Sequence, residues 1–300
     1  MRFIQPELSE KSLDLVTYGL ELGRCVLAGR SDKRRKQEGQ IFTPVGVARF
    51  MARQLGPIRS GDRILDPAIG SGVLACAIIE RLITKGQPVE FWLDGYEIDP
   101  ELAQTAREVL EWATKHAASQ GITVHARVHE CDFVLNSVQI SQPYLFVADG
   151  SSRLSPHLLY THIIANPPYF KLNSNDPRVK AVAGRVKGHT NIYTLFLALA
   201  MKKLAPQGRA CFIIPRSFCS GVYFSAFRQN LIEEALPLAI HLFESRQDTF
   251  KSDSILQENV IFTFQRRHLH STQELSSIYR NYTGPSAVVN GIKGLPLRAS

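Results

Sequence analysis

Residues 63–72 read RILDPAIGSG, and this stretch decides the fold. Its first four residues suit a short buried strand, and the strand runs directly into a turn that contains Gly70 and Gly72. Apolar residues from 71 to 83 then predict a helix. A strand, a glycine turn and a helix in this order are typical of the opening unit of a parallel α/β sheet.

The same alternation of strand and helix continues along the chain. Further strands are predicted at residues 91–96, 122–128, 161–165, 210–215, 238–243 and 259–265. Further helices are predicted at residues 100–120, 191–204 and 224–235, and an apolar stretch at 13–27 suits a helix packed on the core. The pattern therefore predicts a mostly parallel sheet with helices on both faces, and it directs attention to the residues that follow each strand, where ligands bind.

Composition and charge exclude several classes of protein. The chain has 300 residues, of which 44% are hydrophobic and 21% charged, so it can bury a core and is not compositionally disordered. Its 35 Lys and Arg exceed its 27 Asp and Glu, and the net charge of +8 favours a polyanionic partner. Neither a signal peptide nor a bilayer-spanning stretch is recognisable, and five cysteines form no CxxC pair. We therefore expect a cytoplasmic protein with free thiols.

No metal site is expected. His125 and His129 lie on one face of a predicted strand, where a rise of about 3.3 Å per residue separates them by roughly 13 Å, too far to share an ion.

The glycine turn leaves two cofactor classes open. The spacing of Gly70 and Gly72 also satisfies the dinucleotide fingerprint, so a nicotinamide enzyme is one interpretation and a plain strand–helix turn is another. Asp66, at the end of the strand, favours S-adenosylmethionine, because a carboxylate suits an ammonium and a sulfonium group but repels a pyrophosphate. Glu97 could hold ribose hydroxyls, with Ile98 covering an adenine. Asp132 and Phe133 could bind the adenine amino group and ring.

The tetrapeptide at residues 166–169, Asn-Pro-Pro-Tyr, follows another buried strand. Prolines remove backbone donors, so the exposed groups are mainly acceptors: the side-chain oxygen of Asn166 and the carbonyl of Pro167. Two acceptors suit an amine bonded to a planar ring, since they hold its hydrogens and free its lone pair for a methyl group. Tyr169 offers a ring on which a planar base can stack, an interaction worth about 1–3 kcal/mol.

Together these motifs resemble the gamma-class adenine-specific DNA methyltransferases of restriction–modification systems. The resemblance runs from Gly39 to about Phe264 and begins with the stretch GQIFTP, residues 39–44, which looks like the motif that closes over the cofactor. It implies an α/β, Rossmann-like S-adenosylmethionine-dependent methyltransferase fold with a seven-stranded sheet. It also implies methyl transfer to the N6 amino group of an adenine flipped out of double-stranded DNA.

The resemblance assigns site residues position by position. Cofactor binding is expected from Thr43, Pro44, Asp66, Pro67, Gly70, Gly72, Glu97, Ile98, Asp132, Phe133 and Asn166. Catalysis is expected from Asn166, Pro167 and Tyr169, and Phe250 is expected to stack on the target base beside Tyr169. Ile69 departs from the family pattern, which often has a cysteine or another small residue there.

The positive charge suggests where DNA would pass. A mobile basic loop is expected between the tetrapeptide and the next helix, and its cations are predicted to contact the phosphate backbone: Lys171, Arg178, Lys180, Arg185 and Lys187. A solvated loop without a ligand is the alternative.

Three segments are predicted: an N-terminal helical extension at 1–36, a catalytic domain at 37–265, and a basic tail at 266–300. Members of the family carry a larger recognition domain after the catalytic one, so the tail is either a basic end or a link to a recognition domain or subunit outside this chain. A methyltransferase of RNA or of a protein glutamine, and a non-catalytic nucleic-acid-binding subunit, stay open as alternatives.

Overall fold

A computed structural model describes residues 14–31, 42–140, 159–182, 191–243 and 259–267. Within these ranges seven strands form one sheet. They are β1 (Arg63–Asp66), β2 (Val89–Glu97), β3 (Ile122–Glu130), β4 (Tyr160–Ala165), β5 (Leu204–Pro215), β6 (Ala235–Leu242) and β7 (Asn259–Arg266).

The strand order across the sheet is β3-β2-β1-β4-β5-β7-β6. The first five strands along the chain pair in parallel, whereas β7 is antiparallel to both β5 and β6. The order reverses between β1 and β4, and a ligand crevice is expected at the carboxyl ends of these strands. The predicted, mostly parallel seven-stranded sheet is confirmed. Because β7 runs the other way, its first residue, Asn259, starts at the edge where β5 ends, opposite Pro215.

Helices cover both faces of the sheet. In chain order they are α1 (Leu15–Ala28), α2 (Val45–Gln54), α3 (Val73–Lys85), α4 (Pro100–Ala118), α5 (Phe133–Ile140), α6 (Pro177–Ala181), α7 (Ile192–Lys203), α8 (Ser217–Ser220) and α9 (Ser225–Glu234). The first four pack on one face, where the core contains Ile64 and Phe91. Helices α5, α7 and α9 pack on the other, where the core contains Leu65 and Phe212. None of the described helices is long and apolar enough to cross a bilayer.

Four of the described helices, α2, α5, α6 and α8, escape the sequence pattern, and two of these follow an aspartate. Asp132 ends the predicted strand but also caps α5, since its side-chain Oδ1 accepts a hydrogen bond from the backbone N–H of Leu135 at 2.9 Å. Asp176 caps α6 in the same way, accepting from the backbone N–H of Arg178. The predicted mobile loop is therefore wrong for the described part of that stretch, where a β-bridge between Lys171 and Asn191 also fixes the chain.

His125 and His129 lie on β3, as expected. Each ring stacks on an aromatic residue of β2, and each bonds a β2 carboxylate, Glu90 at 2.8 Å and Asp94 at 3.1 Å. The two imidazoles thus have separate partners in the sheet.

The glycine turn lies against β2 at Gly95. A side chain at this position would meet Ile69, with the added Cβ only 3.0 Å from the Ile69 Cβ and 3.2 Å from its Cγ1. The backbone N–H of Ile69 donates to the carbonyl of Tyr96 at 2.9 Å, which holds the turn in place. Gly95 therefore makes room for the large residue by which this chain departs from the family pattern.

We predict that Gly95→Ala lowers the free energy of unfolding by about 1–3 kcal/mol, because the added methyl overpacks against Ile69. In an Ile69→Ala background the loss should be smaller, because the outer carbons of the side chain are gone while the Cβ of residue 69, 3.0 Å from the added methyl, remains. Urea unfolding of the four proteins measures both effects. An equal loss in the two backgrounds would contradict the contact.

Candidate active site

A cavity of about 530 Å³ lies at the carboxyl edge of the sheet. Its walls come from the segments that follow β1, β2, β3 and β4 and from the segment before α2. Eight of the residues predicted to bind the cofactor line it: Thr43, Pro67, Gly70, Glu97, Ile98, Asp132, Phe133 and Asn166. Pro44, Asp66 and Gly72 are next to lining residues in the chain but do not line the cavity themselves. The sequence motifs thus meet in one place.

Asp66 is a buried carboxyl group at the end of β1, with only 1% of its surface exposed. Its Oδ1 accepts a hydrogen bond from the backbone N–H of Ala68 at 3.1 Å, but its Oδ2 has no hydrogen-bond partner among the described residues. Burial, aided by the nearby charge of Glu97, raises the pKa of Asp66 to about 8. A buried acid without a counter-charge is suited to a cationic ligand.

Glu97 joins the glycine turn to the end of β2. Its Oε2 accepts from the backbone N–H of Gly70 at 3.0 Å, and its Oε1 accepts from the backbone N–H of Asp99 at 2.9 Å. Burial raises the pKa of this carboxyl, and the charge of Asp99 adds to the effect. Each oxygen keeps further lone pairs, so a ribose hydroxyl could bond it as well.

Arg30, just after α1, belongs to the same corner and was not anticipated from the sequence. Its guanidinium bonds both carboxylate oxygens of Asp99, one of them at 3.0 Å, and also bonds Glu101. The Oδ1 of Asp99 additionally caps α4 by accepting from the backbone N–H groups of Glu101 and Leu102. The N-terminal helix is thereby tied to the strand end that carries Glu97. An isolated arginine after a helix gives no sequence signal for this role.

The part of the cavity formed by the segments after β2 and β3 combines apolar surface with the carboxyl group of Asp132. Ile98 lines the cavity with 61% of its surface exposed, which a bound ring would cover. Phe133 is buried between Tyr96 and Phe196, with ring centroids 5.3 and 5.2 Å away. Asp132 uses Oδ1 to cap α5, and its Oδ2 faces the guanidinium of Arg178 at 3.8 Å.

Arg178 lines the same part of the cavity, although its charge led us to predict a contact with the phosphate backbone of DNA. Its guanidinium pairs with Asp176 at 2.7 Å and approaches Asp132 at 3.8 Å, and it lies 5.5 Å from the ring centre of Phe170. Hydrogen bonding to Asp176 raises the pKa of Arg178. The cavity has further lining residues that were not predicted, among them Pro168, Phe170, Ile192 and Phe196. Phe170 could have been predicted as a cavity residue, because it is an aromatic residue directly after the tetrapeptide.

Hydrogen bonds hold both the nitrogen and the oxygen of the Asn166 side-chain amide. The Nδ2 of Asn166 donates to the hydroxyl of Thr43 at 3.0 Å, and the hydroxyl of Tyr169 donates to Oδ1 at 2.8 Å. That hydroxyl also lies 2.8 Å from the carbonyl of Ile213, and its single proton serves one acceptor at a time. Burial raises the pKa of Tyr169, so it stays neutral and can donate.

The remaining predicted residues divide in three groups. Pro167 is buried in the turn and is not among the described residues that line the cavity. Lys171 and Lys180 are described and exposed. Phe250, Arg185 and Lys187 lie outside the described residues, as do most of the segments at 1–36 and 266–300.

Solved structures share this fold. A protein from Listeria monocytogenes described as a class I S-adenosylmethionine-dependent methyltransferase matches 94% of this chain and 80% of its own, with 18% identity and a TM-score of 0.58. A modification subunit assigned to a type I restriction enzyme of Vibrio vulnificus matches 84% of this chain and 48% of its own, with 18% identity and a TM-score of 0.63. The chain has the class I S-adenosylmethionine-dependent methyltransferase fold.

Proteins similar in sequence indicate a family within this class of methyltransferases. Residues 139–250 match the family described as Eco57I restriction-modification methylase. The type II methyltransferase M.BsuBI of Bacillus subtilis is 32% identical over 261 residues, 84% of this chain and 50% of the relative. M.PstI of Providencia stuartii is 31% identical over 229 residues, 76% of this chain and 43% of the relative. Residues 139–250 thus match an Eco57I restriction-modification methylase domain, and the resemblance inferred from the motifs is confirmed.

Two qualifications accompany these matches. This chain spans about half or less of the length of the type II methyltransferases. A tRNA1(Val) (adenine(37)-N6)-methyltransferase of Erwinia tasmaniensis is also similar, at 26% identity over 199 residues, 66% of this chain and 65% of the relative.

The state of Asp66 predicts a pH dependence. With a folded pKa of about 8 and an unfolded pKa of about 4, the folded protein binds the extra proton between these values. Its contribution to stability is therefore present below pH 4 and is lost as pH rises towards 8. A ligand with an ammonium group favours the carboxylate, so its affinity should rise with pH by up to about tenfold per unit below pH 8.

Calorimetric titration with S-adenosylhomocysteine from pH 6 to 8, in buffers of different ionisation enthalpy, measures the affinity and the proton released. Asp66→Asn should flatten both, whereas Glu108→Gln on the exposed face of α4 should behave as the wild type. A pH dependence that survives unchanged in Asp66→Asn would exclude Asp66 as the titrating group.

Proposed function

We propose that this protein transfers a methyl group from S-adenosylmethionine to the exocyclic N6 amino group of an adenine flipped out of double-stranded DNA, as the modification activity of a restriction–modification system. The observation that carries the proposal is the Asn166 amide, held at the wall of the cavity with its oxygen paired to a hydroxyl that a substrate amine could replace. The restriction–modification methylase match supports the substrate class.

The residues of the cavity fit S-adenosylmethionine. The unpartnered Oδ2 of Asp66 suits the cationic methionine end. Thr43 lines the same cavity from the segment before α2, and Pro44 follows it in the chain. Pro67, Gly70 and Gly72 form the turn whose backbone would approach the cofactor. Gly70 and Gly72 have positive φ angles of 56° and 90°, which residues with a side chain rarely adopt, so glycine is favoured at both positions. The remaining contacts fall to Glu97 for the ribose and to Ile98, Asp132 and Phe133 for the adenine.

The cofactor supplies an electrophilic methyl group, and the chain supplies the geometry. Asn166 Oδ1 and the carbonyl of Pro167 accept the two hydrogens of the substrate amine. Held by two acceptors, the nitrogen becomes more tetrahedral, and its lone pair is freed from the ring towards the methyl group. A strong base is unnecessary before transfer, because the methylated amine loses its proton readily.

The target base must leave the duplex to reach this turn. Tyr169 offers its ring for stacking, and its hydroxyl must release Oδ1 when the amine arrives; the carbonyl of Ile213 then remains as its acceptor. Phe250 is proposed to stack on the base from the segment before β7, on the strength of the family motif alone. Unstacking the base costs a few kcal/mol, so the contacts of the base in the pocket must contribute at least as much binding free energy.

The phosphate backbone is proposed to pass beside Lys171 and Lys180. Both are exposed, and neither forms an ion pair with another described residue. Arg178 is a weaker candidate, because Asp176 and Asp132 already neutralise it. Arg185 and Lys187 stay in the proposal on sequence grounds. Recognition of a DNA sequence is proposed to need a domain or subunit beyond residues 37–265.

The similarity to a tRNA adenine methyltransferase favours RNA as the second candidate substrate, since the same turn can hold the amino group of an RNA base. The cofactor-closing motif at residues 39–44 and the stretch FKSDSILQEN at residues 250–259, which resembles a late motif of the family, favour DNA. A protein glutamine and a non-catalytic role are the remaining alternatives.

We predict that the wild-type protein, given a donor with a labelled methyl group, labels a pool of DNA and leaves separate pools of RNA and protein unlabelled. Asn166→Ala should abolish labelling, by at least about 100-fold, because it removes an acceptor used in the transition state. Its affinity for S-adenosylhomocysteine should stay close to that of the wild type.

Gln104→Ala, on the exposed face of α4, serves as the matched control and should retain full labelling. Undiminished DNA labelling by Asn166→Ala would refute the assignment. Labelling of the RNA pool alone would establish the second candidate.

Replacing Lys171 and Lys180 together by glutamine should weaken DNA binding and reduce the slope of log affinity against log salt by about 2, because each phosphate contact contributes about 0.9. Fluorescence anisotropy with a duplex from 50 to 300 mM salt measures the slope. Lys85→Gln, at the opposite end of α3, is the control. An unchanged slope in the double variant would remove these lysines from the interface.

A further inference from the structure

The guanidinium of Arg178 lies in the cavity wall with one of its sides bound and the other open. Its Nε and Nη2 donate to the two carboxylate oxygens of Asp176, at 2.9 and 2.7 Å. Its third nitrogen, Nη1, lies 3.8 Å from Oδ2 of Asp132, beyond hydrogen-bond range. Asp132 and Arg178 both line the cavity. A donor and an acceptor, neither hydrogen-bonded to another described residue, thus lie side by side.

We propose that Arg178 is a specificity-determining residue, whose Nη1 donates to a ring nitrogen of the cofactor adenine while Oδ2 of Asp132 accepts from the adenine amino group. The inference rests on the part of the proposed function that assigns S-adenosylmethionine to this cavity, and it is independent of the molecule that receives the methyl group. It gives Arg178 a role in place of the phosphate contact expected from its charge.

Adenine has a hydrogen-bond donor next to an acceptor. Its amino group carries the hydrogens, and the ring nitrogens on the two sides of that group, N1 and N7, accept. A carboxylate can only accept and a guanidinium can only donate, so a neighbouring pair of the two matches either of these edges. A base with a carbonyl in place of the amino group would set an acceptor against the carboxylate, and binding would be disfavoured.

Asp176 fixes the guanidinium before a ligand binds. The same carboxylate accepts from the backbone N–H of Arg178 at 2.9 Å, so it both caps α6 and orients the side chain two residues further on. The ring of Phe170, whose centre is 5.5 Å from the guanidinium carbon, also lines the cavity. A donor held in this way loses little conformational freedom on binding, which favours affinity.

A contact between Arg178 and a DNA phosphate fits these observations less well. Two carboxylates, Asp176 and Asp132, flank the guanidinium and would repel a phosphate, and the side chain is only 23% exposed. Lys171 and Lys180, in the same stretch, are exposed and form no ion pair with other described residues. A purely structural ion pair between Arg178 and Asp132 would be expected at about 2.7–2.9 Å, the distance of a charge-assisted hydrogen bond.

The test measures calorimetrically how the wild type and Arg178→Met bind S-adenosylhomocysteine and its two analogues in which a carbon replaces N1 or N7. The variant removes the donor at similar side-chain length, and it should bind S-adenosylhomocysteine at least about 10-fold more weakly, because a hydrogen bond from a charged group is lost. The analogue that lacks the contacted nitrogen should bind both proteins equally.

Arg107→Met is the matched control. Arg107 also pairs with a carboxylate, Glu130 at 3.0 Å, but it is not among the described residues that line the cavity, so this variant should bind all three ligands as the wild type does.

Equal losses for all three ligands in Arg178→Met would overturn the inference, because damage to the cavity does not depend on one ring nitrogen. Unchanged binding by Arg178→Met would overturn it as well. The wild type alone gives a further check, since it should bind S-inosylhomocysteine, in which a carbonyl replaces the amino group, at least about 10-fold more weakly than S-adenosylhomocysteine. Equal affinity for these two ligands would also overturn the inference.

The outcomes separate this inference from the proposed function. A wild-type protein that shows the expected dependence on the ring nitrogen but labels no DNA would refute the proposed methyl transfer and leave the role of Arg178 standing. A protein that labels DNA without this dependence would overturn the role of Arg178 alone.

Discussion

The hydrogen bonds to the carboxylate of Glu97 are the interactions on which the glycine-turn end of the cavity depends. This carboxylate receives backbone hydrogens from Gly70 and Asp99, and so joins the glycine turn after β1 to the start of α4 after β2. Asp99 carries the connection further, through Arg30, to the N-terminal helix. Three segments distant in the chain are therefore held in register by hydrogen bonds to two neighbouring carboxylates. Each of these bonds has a charged acceptor, the kind that contributes most to stability.

A comparable arrangement operates at the chemical end of the cavity. There the connections run through hydroxyl and amide groups, from Thr43 to Asn166 to Tyr169 to Ile213. Neutral groups that both donate and accept can exchange partners at little cost, whereas the carboxylates at the other end cannot. The end of the cavity held by carboxylates suits tight binding of the proposed cofactor. The end held by hydroxyl and amide groups suits a base that enters from solvent.

The sequence predicted the sheet well because strand and helix differ clearly in apolar periodicity, and because one glycine turn identifies the first strand. Residues 63–66, 73–83 and 192–203 were all within the predicted elements. Short elements escaped, since α5 and α6 begin at aspartates that are equally common in turns. Arg178 was assigned from its charge alone, although its partner Asp176 is only two residues away; its second partner, Asp132, comes near it only in the folded chain. Arg30 shows the same limit, because its partners lie about 70 residues away.

The contact between Ile69 and Gly95 couples two positions of different kind. Ile69 lines the cavity, whereas Gly95, in the neighbouring strand, is not among the described residues that line it. Because the close approach involves both the Cβ and the outer carbons of Ile69, the stability cost of a side chain at 95 depends on the size of residue 69. Substitutions at the two positions are therefore expected to be non-additive, so that a change in the cavity wall alters what the strand behind it tolerates.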